Sequence, residues 1–177
     1  MQLNKHVGLM AEYNLSMNQK IYAAAEKLSP GQLYENSDAF FGSVFCTLNH
    51  IAVGDTIWLK RLSTTMHSHA ALAPICELPV PESLDSVLFE SLSELKVRRD
   101  LLDNAFINLG NSISDVELAS SVNYKNLKGE SFSKNLFSLL MHVFNHQTHH
   151  RGQVTTLLSQ FGFDYGATDL VLLIPNT

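Results

Sequence analysis

Residues 134–162, KNLFSLLMHVFNHQTHHRGQVTTLLSQFG, decide the fold of this chain. Their apolar positions recur every three or four residues, which is the pattern of a helix with one face in a core. Gly162 suits the position just after a helix, where a left-handed backbone is common. We predict a helix that begins at Ser131 or Ser133 and ends at Gly162.

Three more stretches have the same periodicity. They are residues 3–28, residues 43–64 with Ser43 as the N-cap, and residues 83–110 with Ser83 as the N-cap. Four long amphipathic helices in 177 residues favour a bundle over a mixed sheet. We therefore predict an all-α four-helix bundle that forms a single domain over residues 1–177.

The remaining stretches are connections and a tail. Residues 66–81 contain three prolines, which predicts a long connection without regular helix and a candidate lid. Residues 120–133 favour a short hairpin that turns at Lys128-Gly129. The apolar run from Leu170 to Ile174 is expected to fold back onto the core.

Charge and composition exclude several functional classes. Lys and Arg number 12 against 17 Asp and Glu, a net charge of −5 that speaks against nucleic-acid binding. No apolar run approaches the roughly 18 residues that cross a bilayer, and the first residues do not resemble a secretory signal. We expect a cytoplasmic protein with no membrane or nucleic-acid partner, in which Cys46 and Cys76 are reduced.

Histidine is the unusual residue of this chain. Four of the eight histidines lie within residues 142–150. His142, His146 and His150 are four residues apart, and each step turns a helix by about 400°, so the three side chains share one side. Two imidazoles at this spacing can hold one metal ion, which makes His146 and His150 the candidate pair. His149 offers an alternative partner for His146.

A third metal ligand should come from a facing helix. His50 is the candidate, because it lies in the apolar stretch LNHIAV, where an unpaired imidazole would be costly to bury. Three neutral imidazoles leave a coordination position open for water or substrate, as in catalytic metal sites. The competing interpretation is that these histidines are ordinary core or surface residues that only pack or form hydrogen bonds.

Other polar residues near the histidines are candidate supports for a site. Gln153, one turn beyond His150, is the candidate to contact a ligand or a bound water, unless it is simply a surface residue. Three others are candidates to orient the imidazole rings or are simply surface residues: Asn49, Asn145 and Thr148.

The remaining candidates have weaker support. Asp55 is placed to pair with Arg151 between helices, unless it is simply solvated. Cys46 shares a helix face with His50, but an inert core thiol is the favoured interpretation. His142 is interpreted as a neighbour of the site or as packing. Two further histidines, in the proline-rich connection, are interpreted as solvated and not as metal ligands: His67 and His69.

Three segments of the chain are similar to the DinB/YfiT-like metalloprotein family. They occur in the family order and cover most of the chain: AEYNLSMNQKIY, TLNHIAVGDTIWLKRL and HVFNHQTHHRGQV. Asp55 and Trp58 also match the family's Asp-x-x-Trp pattern. The resemblance implies a bundle of up-and-down type that holds a divalent metal, often nickel or zinc. The ligands it implies are His50, His146 and His150.

The resemblance leaves the reaction open. Some relatives are thiol-dependent S-transferases or isomerases that use bacillithiol, mycothiol or glutathione, whereas many have no assigned reaction. We interpret the chain as a metal-dependent enzyme that acts on a small molecule by hydrolysis or thiol transfer, with a small thiol as an optional cosubstrate. The alternatives are a metal-binding stress-response protein without turnover and a dimerising interaction module. A homodimer is expected because bundles of this kind commonly pair.

Overall fold

Helices dominate the computed structural model of the protein, which describes residues 2–66 and 69–176. The helices in chain order are α1 (Leu3–Ala25), α2 (Pro30–Tyr34), α3 (Val44–Thr65), α4 (Ala73–Cys76), α5 (Leu92–Ser112), α6 (Asp115–Leu118) and α7 (Leu136–Gln160). The strands are β1 (Ser121–Lys125) and β2 (Ser131–Asn135), and short 3₁₀ turns lie at Ala70–Leu72 and Leu170–Leu173. None of the helices in the described ranges is long and apolar enough to cross a membrane.

The four long helices pack around one apolar core. Helices α1 and α3 each pack against both α5 and α7, which places α1 and α3 on opposite sides of the core. Each long helix contributes residues that are almost fully buried, among them Val7, Leu59, Leu102 and Phe144. Burying one such side chain stabilises the fold by about 1.5–3 kcal/mol, so this core is the main stabilising element. The predicted helical fold is confirmed.

Helix α3 begins at the predicted cap and is covered by protein on nearly every side. The Ser43 hydroxyl accepts a hydrogen bond from the Cys46 backbone N–H, which caps the helix. Every residue from Thr47 to Ile57 is buried. Polar side chains in that stretch need partners inside the protein, because water does not reach them.

The predicted start of the third long helix at Ser83 is wrong. The N-cap is Ser91, eight residues later, and helix α5 begins at Leu92. The Asn49 side chain donates to the Ser86 carbonyl and accepts from the Leu88 backbone N–H. These backbone groups are therefore tied to α3 and are not available for helical hydrogen bonds.

The predicted start of the last long helix at Ser131 or Ser133 is also wrong. Both serines belong to β2, which pairs antiparallel with β1, and Asn135 caps α7 instead. The predicted hairpin is thereby confirmed. At the other end Gly162 has φ +80°, as expected for the glycine that follows a helix.

The connections differ in part from the predictions. Helix α1 ends at Ala25, three residues before the predicted end, and the next three residues form a turn. The 66–81 connection contains the one-turn helix α4, so the prediction of no regular helix there is wrong, and the buried Leu72 and Ile75 anchor its described part in the core. The tail runs along α1, but Val171 and Leu172 stay 67% and 63% exposed, so the expected return to the core is only partial.

Candidate metal centre

Three histidines from two helices converge on one point. His50 lies on α3, whereas His146 and His150 lie on α7, and the two helices pack together. Each imidazole offers one ring nitrogen, and the three nitrogens lie within 4.8 Å of one another. The Nε2 atoms of His50 and His146 are 3.1 Å apart. Ligands of a tetrahedral zinc ion with bonds of about 2.1 Å lie roughly 3.4 Å apart, so the cluster could hold a divalent metal after small adjustments.

Two hydrogen bonds fix the protonation of the outer rings. His50 Nδ1 lies 2.8 Å from the Leu84 carbonyl oxygen, and His150 Nδ1 lies 2.8 Å from Gln153 Oε1. Both partners are acceptors, so each Nδ1 carries the proton and each Nε2 keeps its lone pair. Metal-binding histidines are commonly oriented in this way by the ring nitrogen that does not bind the metal.

The environment keeps the three imidazoles neutral. Burial, together with the neighbouring rings of His150 and His50, lowers the pKa of His146 to about 3. Burial also lowers the pKa of His50 and of His150. At neutral pH the rings therefore present lone pairs, which is the form that binds a metal.

Two residues that the sequence analysis did not select shape the space around the rings. Phe41 stacks on His50 with ring centroids 3.9 Å apart and meets His150 edge-on at 5.3 Å. Gly54 lies beside His146, where an added Cβ would come within 2.9 Å of the ring carbon Cε1. A glycine inside a helix is unfavourable by about 1 kcal/mol relative to alanine. A glycine in the middle of the helical pattern at position 54 was therefore the sequence signal that a small residue is needed there.

The predicted supporting residues take other roles. Gln153 contacts His150 itself and thus orients a ring. Asn49 does not touch an imidazole but holds the segment that carries the Leu84 carbonyl. Asn145 and Thr148 both bond to carbonyl groups of their own helix, so neither reaches the histidines.

Other candidate ligands lie outside the cluster. His142 and His149 are exposed, and the His142 ring packs on Trp58 at 5.4 Å. Cys46 is a free, exposed thiol, so the prediction of a core cysteine is wrong. Within residues 2–66 and 69–176, His69 joins no group of three metal-binding side chains, and His67 lies outside the described residues.

A buried polar network crosses the core beside the histidines. Asp55 is fully buried and pairs with Arg99 Nη1 at 2.5 Å, and it accepts a hydrogen bond from Gln147 Nε2 at 2.9 Å. The predicted pairing of Asp55 with Arg151 is therefore wrong. Burial raises the pKa of Asp55, and the adjacent guanidinium of Arg99 opposes that shift.

The network includes every long helix. Arg99 Nη2 lies 3.0 Å from Asp103 Oδ1, and Asn18 of α1 donates to the same oxygen. Arg151 of α7 donates to Asn14 of α1 and to Gln147 of its own helix. Two buried carboxylates thus face two buried guanidinium groups. Since Gln147 directly follows His146, the network fixes how α7 presents its histidines to α3.

Comparison with known proteins identifies the family. The model of the DinB family matches residues 1–176. The chain belongs to the DinB family. It is 26% identical over 164 residues to Protein DinB of Bacillus subtilis (strain 168), an alignment that covers 92% of this chain and 90% of that protein. No solved structure matches the chain significantly. The resemblance noted from the three sequence segments is confirmed.

An open pocket of about 470 Å³ adjoins the histidine cluster of this DinB-family chain. It lies between α3, α7, Leu84 and the hairpin turn. The lining residues are Gly54, Ile57, Trp58, Arg61, Leu84, Asn126, Leu127, Lys128, His142 and His146. None of the described residues of the 66–81 connection lines it, so the structure gives no support to that connection as a lid. The pocket provides a route for a small molecule to His146.

Proposed function

We propose that the three histidines hold one divalent ion, nickel or zinc, in a metal-dependent enzyme that acts on a small molecule by hydrolysis or thiol transfer. The supporting observation is the pair of orienting hydrogen bonds, from His50 to the Leu84 carbonyl and from His150 to Gln153. These bonds reserve both Nε2 atoms for a ligand within a cluster 4.8 Å wide. In the metal-free chain His146 Nε2 can donate to the His50 Nε2 lone pair 3.1 Å away, and a bound ion would replace that hydrogen bond.

The pocket beside His146 favours an enzyme over a protein that only stores or senses a metal. Three protein ligands leave one coordination position, and catalytic metal sites keep such a position open. When bound, a divalent ion lowers the pKa of a water or thiol and so supplies a nucleophile near neutral pH. Nitrogen ligands suit nickel and zinc, and availability in the cell decides between them.

The proposal also covers the finer features of the fold and the protein's setting. We propose one domain over residues 1–177 and a four-helix bundle of up-and-down type, and the family match over residues 1–176 supports the first of these. The homodimer, the cytoplasmic location and the small thiol cosubstrate stay predictions from the sequence.

Metal content tests the site. Protein purified without a histidine tag is expected to contain close to one nickel or zinc ion per chain by elemental analysis. His50→Ala should lose most of the metal and keep its helical circular dichroism, because neither the apolar core of the long helices nor the Ser43 cap of α3 depends on its ring. His149→Ala is the matched control, since this exposed histidine lies on α7 beside the cluster, and it should keep the metal. Full retention of metal in His50→Ala would contradict the proposed site.

Turnover tests the reaction. The metal-loaded protein is assayed with an electrophile and a panel of small thiols, and separately with plain esters and amides. Thiol-dependent turnover that disappears in His50→Ala supports thiol transfer, and ester or amide cleavage with the same dependence supports hydrolysis. Bound metal without any turnover would instead favour the non-catalytic metal-binding protein.

A further inference from the structure

The pocket beside His146 has apolar walls and two cationic residues at its outer side. Its apolar lining comes from Ile57, Trp58, Leu84 and Leu127. No Asp or Glu occurs among the described residues that line it. A pocket with this lining suits a molecule that is mostly apolar and carries a negative charge.

Arg61 is the better placed of the two cationic residues. Its guanidinium lies 4.7 Å from the centre of the Trp58 ring and 5.1 Å from that of Tyr124. In the described ranges no carboxylate oxygen lies within 4.0 Å of it, in contrast to Arg99 with its two carboxylate partners. A partly buried guanidinium that has aromatic contacts and no carboxylate partner binds an incoming carboxylate strongly, through two parallel hydrogen bonds.

The positions on α3 set the length of the ligand. Gly54, Trp58 and Arg61 are spaced by four and three residues, so they share one face of the helix. Gly54 contacts His146, and Arg61 lies seven residues further, which corresponds to about 10 Å along the axis. A ligand with its anion at Arg61 and its other end at His146 must span roughly this distance.

We propose that the pocket binds small apolar carboxylates, with the carboxylate at Arg61 and Lys128 and the apolar body along Trp58 and Leu84. The opposite end of the molecule then lies beside His146. This inference rests on the proposed function, because it names the substrate class of that same site.

Trp58 makes binding directly measurable. It is the single tryptophan of the chain and it lines the pocket, so its fluorescence reports on occupancy. The probes are 4-phenylbutanoate and its neutral isostere 4-phenylbutanamide, which do not absorb where tryptophan is excited selectively. The acid is expected to bind about tenfold more tightly than the amide, because one charge-assisted hydrogen bond changes the dissociation constant by about this factor. Titrations are run on the protein as purified and again after metal removal and dialysis.

Substitutions assign the preference to Arg61. Arg61→Gln should bind acid and amide equally, and Arg61→Lys should keep part of the preference because it keeps the charge. Arg98→Gln is the matched control: this arginine also lies over an aromatic ring, Phe89 at 5.4 Å, but it does not line the pocket. Lys128→Gln changes an exposed side chain and should weaken the preference without affecting folding.

Three results would overturn the proposal. The first is equal affinity of the wild type for acid and amide, and the second is an acid preference that survives Arg61→Gln. The third is a preference seen only with metal bound, which would mean that the carboxylate binds the ion. Because the titration of the metal-free protein does not require a bound ion, failure here is distinguishable from failure of the proposed metal site.

Discussion

Replacing Gly54 by alanine tests whether the position of the His146 ring controls metal binding. The new Cβ would lie 2.9 Å from Cε1 of His146, whereas ordinary contacts begin at 3.4 Å. The ring or the backbone of α3 must therefore move by about 0.5 Å, which exceeds the roughly 0.2 Å tolerance of metal–ligand distances. We expect metal affinity to fall about tenfold to a hundredfold, the range seen when support for a ligand is lost.

The assay is a competition titration of zinc or nickel against a chromophoric chelator, with circular dichroism to monitor the fold. Gly152→Ala is the matched control, because it lies on α7 and its added Cβ would meet nothing within 4 Å. This control should keep its metal affinity and gain up to about 1 kcal/mol in stability from helix propensity. Unchanged affinity in a folded Gly54→Ala protein would refute the reasoning, and so would an equal loss in Gly152→Ala.

Three further predictions concern pH, the buried charges and ring orientation. The pKa of His146 is about 3 in the folded protein and 6.5 in an unfolded chain. Below pH 6.5 the unfolded chain therefore binds more protons than the folded one. The metal-free protein should lose stability as the pH falls below 6.5. His146→Asn should reduce the pH dependence of the urea midpoint between pH 6.5 and about 3, and His50 and His150, whose pKa values are also lowered, should account for the slope that remains. An unchanged slope would contradict the assignment. Arg99→Met should destabilise the fold by about 3–5 kcal/mol in urea unfolding, because it breaks a buried ion pair. The control Lys96→Met breaks an exposed ion pair on the same helix and should cost less than about 1 kcal/mol. Similar costs for the two variants would argue against a cooperative buried network. Gln153→Ala should weaken metal binding about tenfold in the chelator titration and leave the urea midpoint of the metal-free protein unchanged. Retained metal affinity would show that His150 needs no acceptor at Nδ1.

Periodicity and spacing predicted the long helices and selected the histidines that converge. The i, i+4 spacing in α7 places His146 and His150 on one face whatever the helix packs against. His50 was predicted because a lone imidazole in an apolar helix needs a partner, and the structure brings it to the other two.

The contacts that the sequence did not predict involve residues whose orientation does not follow from helical periodicity. Phe41 and Leu84 lie in non-helical segments, where no repeat indicates which way a side chain or carbonyl faces. Ser83 resembled a helix cap, but its backbone N–H donates to the Ser86 hydroxyl in a tight local turn. Asp55 was paired with the wrong arginine because its partner depends on which helices are neighbours, and a single sequence does not contain that information.

The charged residues in the core also determine how the helices can slide. A shift of α7 by one helical turn, about 5.4 Å, would exchange one set of apolar contacts for another and would disturb the close packing of the core. The same shift of α7 against α3 would leave Asp55 without Gln147, and a buried carboxylate deprived of partners is strongly unfavourable. The alignment of the two helices is thus fixed by groups other than the histidines themselves. An ion could therefore leave and be replaced without the protein losing the geometry that receives the next one.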